Sequence, residues 1–278
     1  MNVDETSLSR ACGRRPGAVV RLPRGSPEVL NDHQSLPQRR SNCTLLAAIC
    51  NDPVFQTTLP QVLIGKWSLK DYRLLQGHFT STCPTVEVVN AKGWMTSELF
   101  MQYIRLLRAR VDCVEVNKKI VLMCDAAACH LTDEVLWCSQ ENNVRLLLVP
   151  SKMTSILQPL DVAVFAHFKK SMTERSLFHR AHNALGNFPL LTWAQCLSGT
   201  IDTLLLSRNW DKAFRMVGIP PDPNSFGRCL RAEHFQGLCA GEEVLCLQAC
   251  ELAVYLGKKR VLESMHLLMF PDQSVGSM

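Results

Sequence analysis

The sequence predicts an α/β fold, and three adjacent segments carry that expectation. Lys119-Ile120-Val121-Leu122-Met123-Cys124 is apolar without alternation, the pattern of a strand buried on both faces of a parallel sheet. Thr132 followed by Asp133 and Glu134 is a helix start, with a capping hydroxyl and negative charge at the positive end of the helix dipole; that helix reaches about residue 141. Val144-Arg145-Leu146-Leu147-Leu148-Val149, stopped by Pro150, is a second apolar strand. Strand, helix and strand in such close succession form a βαβ unit with parallel strands and a right-handed crossover.

The other elements follow in chain order. Asn2-Val3-Asp4-Glu5-Thr6 reads as the end of a strand whose beginning is missing. Residues 9 to 38 are rich in Arg, Pro and Gly and read as turns, with a short hairpin around Ala18-Val19-Val20. Residues 42 to 50 form a β-rich apolar run, and Asn51-Asp52-Pro53 supplies a turn. Residues 59 to 65 form another strand, closed by Gly65. Residues 66 to 90 carry no clear periodicity and are expected to be irregular. Thr96 caps a helix to about residue 110, with Glu98 in its first turn and Leu99, Phe100, Tyr103, Ile104 and Leu107 on one face. Pro159 suits the first position of a further helix, whose apolar stripe is Leu160, Val164, Phe165 and Phe168. Residues 190 to 209 and 211 to 217 read as two more helices, and the tail beyond about residue 228 as a Cys-rich helical segment.

Composition narrows the function classes. Of 278 residues, 47% are hydrophobic and 20% charged, enough to bury a sizeable core and too apolar for global disorder. The 13 cysteines are odd in number and lack the spacing of a small disulfide framework, so they read as reduced thiols. No run approaches a membrane span and the start is not a signal peptide, so no membrane partner is expected. A formal charge of +5 fits a nucleic-acid partner without requiring one. Arg14 and Arg15 belong to a cluster of early arginines.

Three aspartates are the candidate chemistry. In a parallel sheet, ligands gather outside the carboxyl ends of the strands. Asp125 ends one strand of the βαβ unit, and Asp161 opens the helix entered after its neighbour. Asp4 lies at the end of a separate strand that can pair alongside. Like charges at one sheet edge raise one another's pKa unless a cation intervenes. Divalent ions with hard oxygen ligands fit such a site, and two of them can serve both the attacking and the leaving oxygen of a phosphoryl transfer. The competing reading of each aspartate alone is a surface cap or turn residue.

Asn2-Val3-Asp4-Glu5-Thr6, Lys92-Gly93-Trp94-Met95-Thr96, Asp125-Ala126-Ala127-Ala128-Cys129-His130 and Leu157-Gln158-Pro159-Leu160-Asp161-Val162 resemble, in order, the landmark motifs of DDE-superfamily endonucleases of the pogo, Tigger, Jerky and centromere-binding protein B branch. Gly218-Ile219-Pro220 echoes a later landmark, so the resemblance covers about residues 1 to 222. It implies a ribonuclease-H-like mixed sheet flanked by helices over residues 1–175 and a helical end over 176–222; residues 223–278 lie beyond the resemblance and read as a Cys-rich helical C-terminal extension. It implies catalytic, metal-binding Asp4, Asp125 and Asp161 holding two Mg²⁺ or Mn²⁺ ions, with Asp4 bridging both. It also implies DNA as substrate, action in the nucleus and a homodimer on DNA.

Departures from the pattern leave a second reading open, a domain that binds DNA or protein without cutting. Ala126 stands where the family usually has Asn, the family's helix-turn-helix region has no counterpart in these residues, and the first strand is expected to be clipped at Met1. An unrelated hydrolase lacks any nucleophile motif here. His130 is either an auxiliary residue near the scissile phosphate or a locally bonded capping-region histidine. Lys169 and Lys170 are either DNA contacts or a solvated helix face. Arg14, Arg15 and Lys92 are candidate DNA contacts. Trp67 and Trp94 are loop or core anchors in the first instance and base-stacking platforms in the second. Cys239, Cys246 and Cys250, with His234 and His266, match no paired metal-ligand spacing and read as helical core residues.

Overall fold

The computed structural model describes residues 1–9, 42–182 and 188–219. The hairpin expected around Ala18, the cluster containing Arg14 and Arg15, and the Cys-rich tail with Cys239, Cys246 and Cys250 lie outside the described residues.

Six strands form one sheet: β1 (Asn2–Ser9), β2 (Asn42–Ile49), β3 (Gln61–Gly65), β4 (Val86–Asn90), β5 (Ile120–Asp125) and β6 (Val144–Val149). Their order across the sheet is β4-β3-β2-β1-β5-β6. β2 is antiparallel to β1 and β3, while β3–β4, β1–β5 and β5–β6 are parallel. The sheet is therefore mixed, with β2 alone reversed, in the ribonuclease-H-like arrangement. The βαβ unit is present: α4 (Asp133–Glu141) joins β5 to β6, and its Thr132 hydroxyl accepts from the Val135 amide.

Helices cover both faces. On one face, Leu45, Ala47 and Leu63 pack with Leu75 and Phe79 of α2 (Leu69–Thr82) and Phe168 of α6 (Phe165–His182). Trp193 and Leu197 of α7 (Leu190–Thr200) and Phe214 of α8 (Asp211–Met216) join the same core. On the other face, Leu46, Ala48 and Ile64 pack with Phe100, Ile104 and Leu107 of α3 (Ser97–Asp112) and Val135 of α4. Truncating one of these aromatic side chains costs about 3–5 kcal/mol in a closed core. The described residues also include two short helices, α1 (Pro53–Gln56) and α5 (Thr154–Leu157).

Several expectations need correction. Residues 66 to 90 are not irregular: they hold α2 and β4. Ser68 caps α2 by accepting from the Asp71 amide, but only Leu75 and Phe79 of that helix are buried, too few to give an apolar stripe. β1 does not end near Asp4; it continues to Ser9, and Asp4 faces Ala47 within a continuous ladder. β5 is not buried on both faces throughout, because Val121 is 51% exposed. The helical run from residue 190 ends at residue 206 rather than 209. It passes from α7 into a π-helical turn, Ile201–Leu206. Likewise α6 is preceded by a π-helical turn, Leu160–Val164, that carries Asp161.

Candidate active site

Strand direction decides which loops share an edge. β1, β3, β4, β5 and β6 point the same way, so the segments after β3, β4, β5 and β6 emerge at one edge of the sheet. Asp125 closes β5 at that edge. Side chains alternate along a strand, so Asn2 and Asp4 share one face of β1 while Val3 and Glu5 share the other. Leu160, the residue before Asp161, packs in the core on the Asn2 and Asp4 side, and Val3 packs on the opposite side.

Asp4 is the electrostatic centre of this edge. Its carboxyl is pushed up to about 8, first by burial and next by the negative charge of Asp161, with Glu5 and Asp125 adding to the rise. The Glu5 amide, donating to Asp4 Oδ1 at 2.8 Å, opposes that rise. The structure thus brings Asp4, Asp125 and Asp161 into one electrostatic neighbourhood from β1, β5 and the π-helical turn. Asp161 is exposed, while Asp4 and Asp125 are partly buried.

His130 is buried and lies in a 3-10 turn just past Asp125. Its Nδ1 is 2.8 Å from Asp125 Oδ1 and 3.1 Å from the Asp125 carbonyl. Its Nε2 is 3.4 Å from Glu5 Oε1, an ion-pair separation without the alignment of a hydrogen bond. Burial alone would lower the imidazole pKa, but interactions with Asp125, Cys124 and Glu5 outweigh it and raise the pKa above the ordinary histidine value. The Phe100 ring sits 4.2 Å away, centroid to centroid, which also suits a cation. The same contact to His130 holds the Asp125 carboxyl below its usual range.

Donor atoms of Glu5, Asp125 and His130 lie within 4.8 Å of one another. With His130 protonated the trio is a salt-bridged unit, and with His130 neutral the same three donors are close enough to share a cation. Carboxylate oxygens, which Asp4, Asp125 and Asp161 carry, are the kind of donor that suits a hard cation. Burial raises the Asp4 pKa first and the charge of Asp161 next; a cation would offset the second effect, so the carboxylates present fit divalent metal.

The other candidates separate by exposure. Trp67 is buried in the core, whereas Trp94 is 59% exposed in the loop after β4. Lys92 is exposed in that same loop, and Lys66 and Lys152 are exposed just after β3 and β6. Lys169 and Lys170 are exposed on α6, where Lys170 is 4.0 Å from Glu174. Sequence reasoning singled out neither Glu5 nor the lysines at residues 66 and 152. Glu5 adjoins Asp4 in the first motif, and strand alternation was the available signal that it faces another partner.

Comparison with known proteins gives the family. The model of the DDE superfamily endonuclease matches residues 43–185, just over half of the chain, including Asp125 and Asp161. A mouse protein, "Pogo transposable element with KRAB domain", is 29% identical over 80 residues, which is 29% of this chain and 13% of that protein. A protein of Cochliobolus lunatus, "MFS-type transporter clz9", is 23% identical over 133 residues, which is 48% of this chain and 14% of that protein. The chain thus spans a small part of the curated relatives it matches. Among the described residues no helix is long and apolar enough to cross a membrane. The solved "Mos1 transposase paired-end complex with left transposon end" aligns with 12% identity and a TM-score of 0.40, covering 80% of this chain and 56% of that one. The family match runs from β2 through α6 and takes in β5 and the π-helical turn that carry Asp125 and Asp161, while β1 with Asp4 precedes it; the chain belongs to the DDE superfamily of endonucleases.

Proposed function

We propose that the chain is a metal-dependent DNA endonuclease domain of transposase origin, acting in the nucleus through Asp4, Asp125 and Asp161. The observation that carries this reading is the endonuclease family match over residues 43–185, which takes in Asp125 and Asp161, the latter acting electrostatically on the partly buried Asp4. Membership of an endonuclease superfamily and the pogo element named among the relatives support DNA as substrate.

In the cutting step a water oxygen bonds to phosphorus and the P–O3′ bond breaks. That leaves a 5′-phosphate and a 3′-hydroxyl, and the water gives up a proton to solvent. In strand transfer the freed 3′-hydroxyl takes the place of water. Divalent ions, when held by these carboxylates, would supply activation of the attacking oxygen and stabilisation of the leaving one. The chain's own residues hold and orient: Asp4, Asp125 and Asp161 present oxygen ligands, and His130 anchors Asp125 from behind the strand.

A second reading, a domain that binds DNA or protein without cutting, is favoured by Ala126, which leaves the loop after Asp125 without the family's polar side chain. Plasmid nicking in Mn²⁺ at low salt separates the two. Ala126→Asn is expected to raise nicking and Asp161→Ala to abolish the gain. If Ala126→Asn binds DNA as the parent does and nicks no better than Asp161→Ala, the binding-only reading replaces the catalytic one.

A further inference from the structure

Asn2 is fully buried, and its carboxamide touches elements that carry all three aspartates. Its backbone belongs to β1, two residues before Asp4 and on the same strand face. Its Nδ2 donates at 3.1 Å to the Met123 carbonyl in β5, two residues before Asp125. Its Oδ1 accepts at 2.9 Å from the Leu160 amide, one residue before Asp161. The Leu160 N–H lies where a helix start leaves backbone donors without an intrahelical partner.

Two weaknesses of the scaffold make this side chain matter. The parallel pairing of β1 with β5 registers Asn2 with Met123, and Met1 adds bonds to the Met123 amide and the Val121 carbonyl, so the ladder between the two strands is short and stops before Asp4. The π-helical turn with Asp161 is otherwise held by Leu160, Val164 and the following Phe165 and Phe168, apolar contacts with little directional preference. The two Asn2 hydrogen bonds are directional contacts that tie this turn to β1 and β5.

We propose that Asn2 is a positioning residue that ties the Asp161 turn to the Asp4 and Asp125 strands, keeping the carboxylates together before a cation binds. The proposal rests on the metal-site reading above. Gln61 provides the matched control. It is an equally buried amide that pairs with the Ala48 N–H and with the Ala48 and Leu59 carbonyls, all outside the three acidic segments.

The experiment uses the 278-residue chain, without metal for amide exchange by NMR and with Mn²⁺ alone as the probe for calorimetry. In Asn2→Ala the Leu160 amide should exchange about tenfold faster, as expected for loss of its one directional acceptor. Mn²⁺ should bind at least about tenfold more weakly, the scale of a lost supporting contact behind a metal ligand. Gln61→Ala should leave both readings as in the parent, even where it lowers Tm equally. Asn2→Ser, which keeps a hydroxyl, is the second variant if Asn2→Ala does not fold. Unchanged Leu160 exchange, or a loss of Mn²⁺ affinity no larger than in Gln61→Ala, overturns the clamp. A parent chain that binds no Mn²⁺ overturns the metal-site reading instead, and Leu160 exchange then decides the clamp alone.

Discussion

The carboxyl of Asp4 and the carboxylate of Asp161 act on each other across the gap between a strand and a helical turn: after burial, Asp161 is the strongest influence holding Asp4 near pKa 8. The two groups belong to segments far apart in sequence, joined by the packing of the π-helical turn against the sheet.

This relationship makes Asp4 a cost to the metal-free fold. Its folded-state pKa of about 8 lies above the ordinary 3.8, so the folded state binds that proton more tightly than the unfolded chain. The associated stability is complete below about pH 4 and is lost as pH rises toward 8. Asp4→Asn mimics the neutral form at every pH. In metal-free buffer it should therefore be more stable than the parent, by on the order of 2 kcal/mol at pH 8 after discounting for partial exposure, and by less at pH 5. Saturating Mn²⁺ should reverse the order, because only the parent gains binding free energy. Urea unfolding at the two pH values checks this. A metal-free advantage absent at pH 8, or equal at both pH values, contradicts the electrostatic account.

His130 should be the costliest single truncation at this edge. Removing it leaves the Asp125 and Glu5 carboxylates without the cation between them. Breaking a buried pair from one side costs about 3–5 kcal/mol, because the remaining charge is stranded. His130→Ala should show that loss at pH 7, and Glu5→Gln added to it should recover part by removing one stranded charge. A cycle in which the double variant is merely the sum of the singles argues against the bridge.

The parts of this arrangement differ in how plainly the sequence announces them. β5 and β6 are apolar runs, and Thr132 with Asp133 and Glu134 marks α4, so the βαβ unit that delivers Asp125 is visible locally. α2 is hidden because two buried positions do not make a stripe, and β4 because a five-residue strand at the sheet edge alternates only weakly. Asn2 and Glu5 were readable as strand residues but not as partners of Leu160 and His130, since those contacts exist only once the sheet and the turn are packed. Trp67 and Trp94 look alike in sequence, each close to a lysine. Their different fates are set by Asn90 and Val89, which bind Trp67 from the neighbouring strand.

Gly65 and Trp67 give a test of that packing. A Cβ added at Gly65 would overlap the Trp67 ring. The indole cannot step aside easily: its Nε1 donates to the Val89 carbonyl at 3.2 Å, and its backbone N–H donates to Asn90 Oδ1 at 3.0 Å. Gly65→Ala should cost about 1–3 kcal/mol, the usual range for overpacking. In a Trp67→Leu background the same change should cost much less. Equal costs in the two backgrounds, read from urea midpoints at constant slope, would place the effect elsewhere.

DNA affinity should depend on the lysines at the acidic edge. Lys66, Lys92 and Lys152 are each exposed just past the carboxyl ends of β3, β4 and β6, the strands that run parallel to β5. A duplex whose scissile phosphate approaches Asp4, Asp125 and Asp161 must bring flanking phosphates over this edge, and the acidic cluster repels them. Cations on the surrounding loops offset that repulsion, and each phosphate they meet releases a counterion. Replacing one such lysine by alanine should weaken binding about equally for unrelated duplex sequences and reduce the slope of log affinity against log salt by about 1. Lys170→Ala on α6, where Glu174 already faces the ammonium, should leave the slope nearly unchanged. Trp94→Ala should separate from both: its exposed ring carries no charge, so it should lower affinity for single-stranded DNA without changing the salt slope. Fluorescence anisotropy at three salt concentrations reads all of these. If the slope falls as much in Lys170→Ala as in Lys92→Ala, the acidic edge is not where DNA lies.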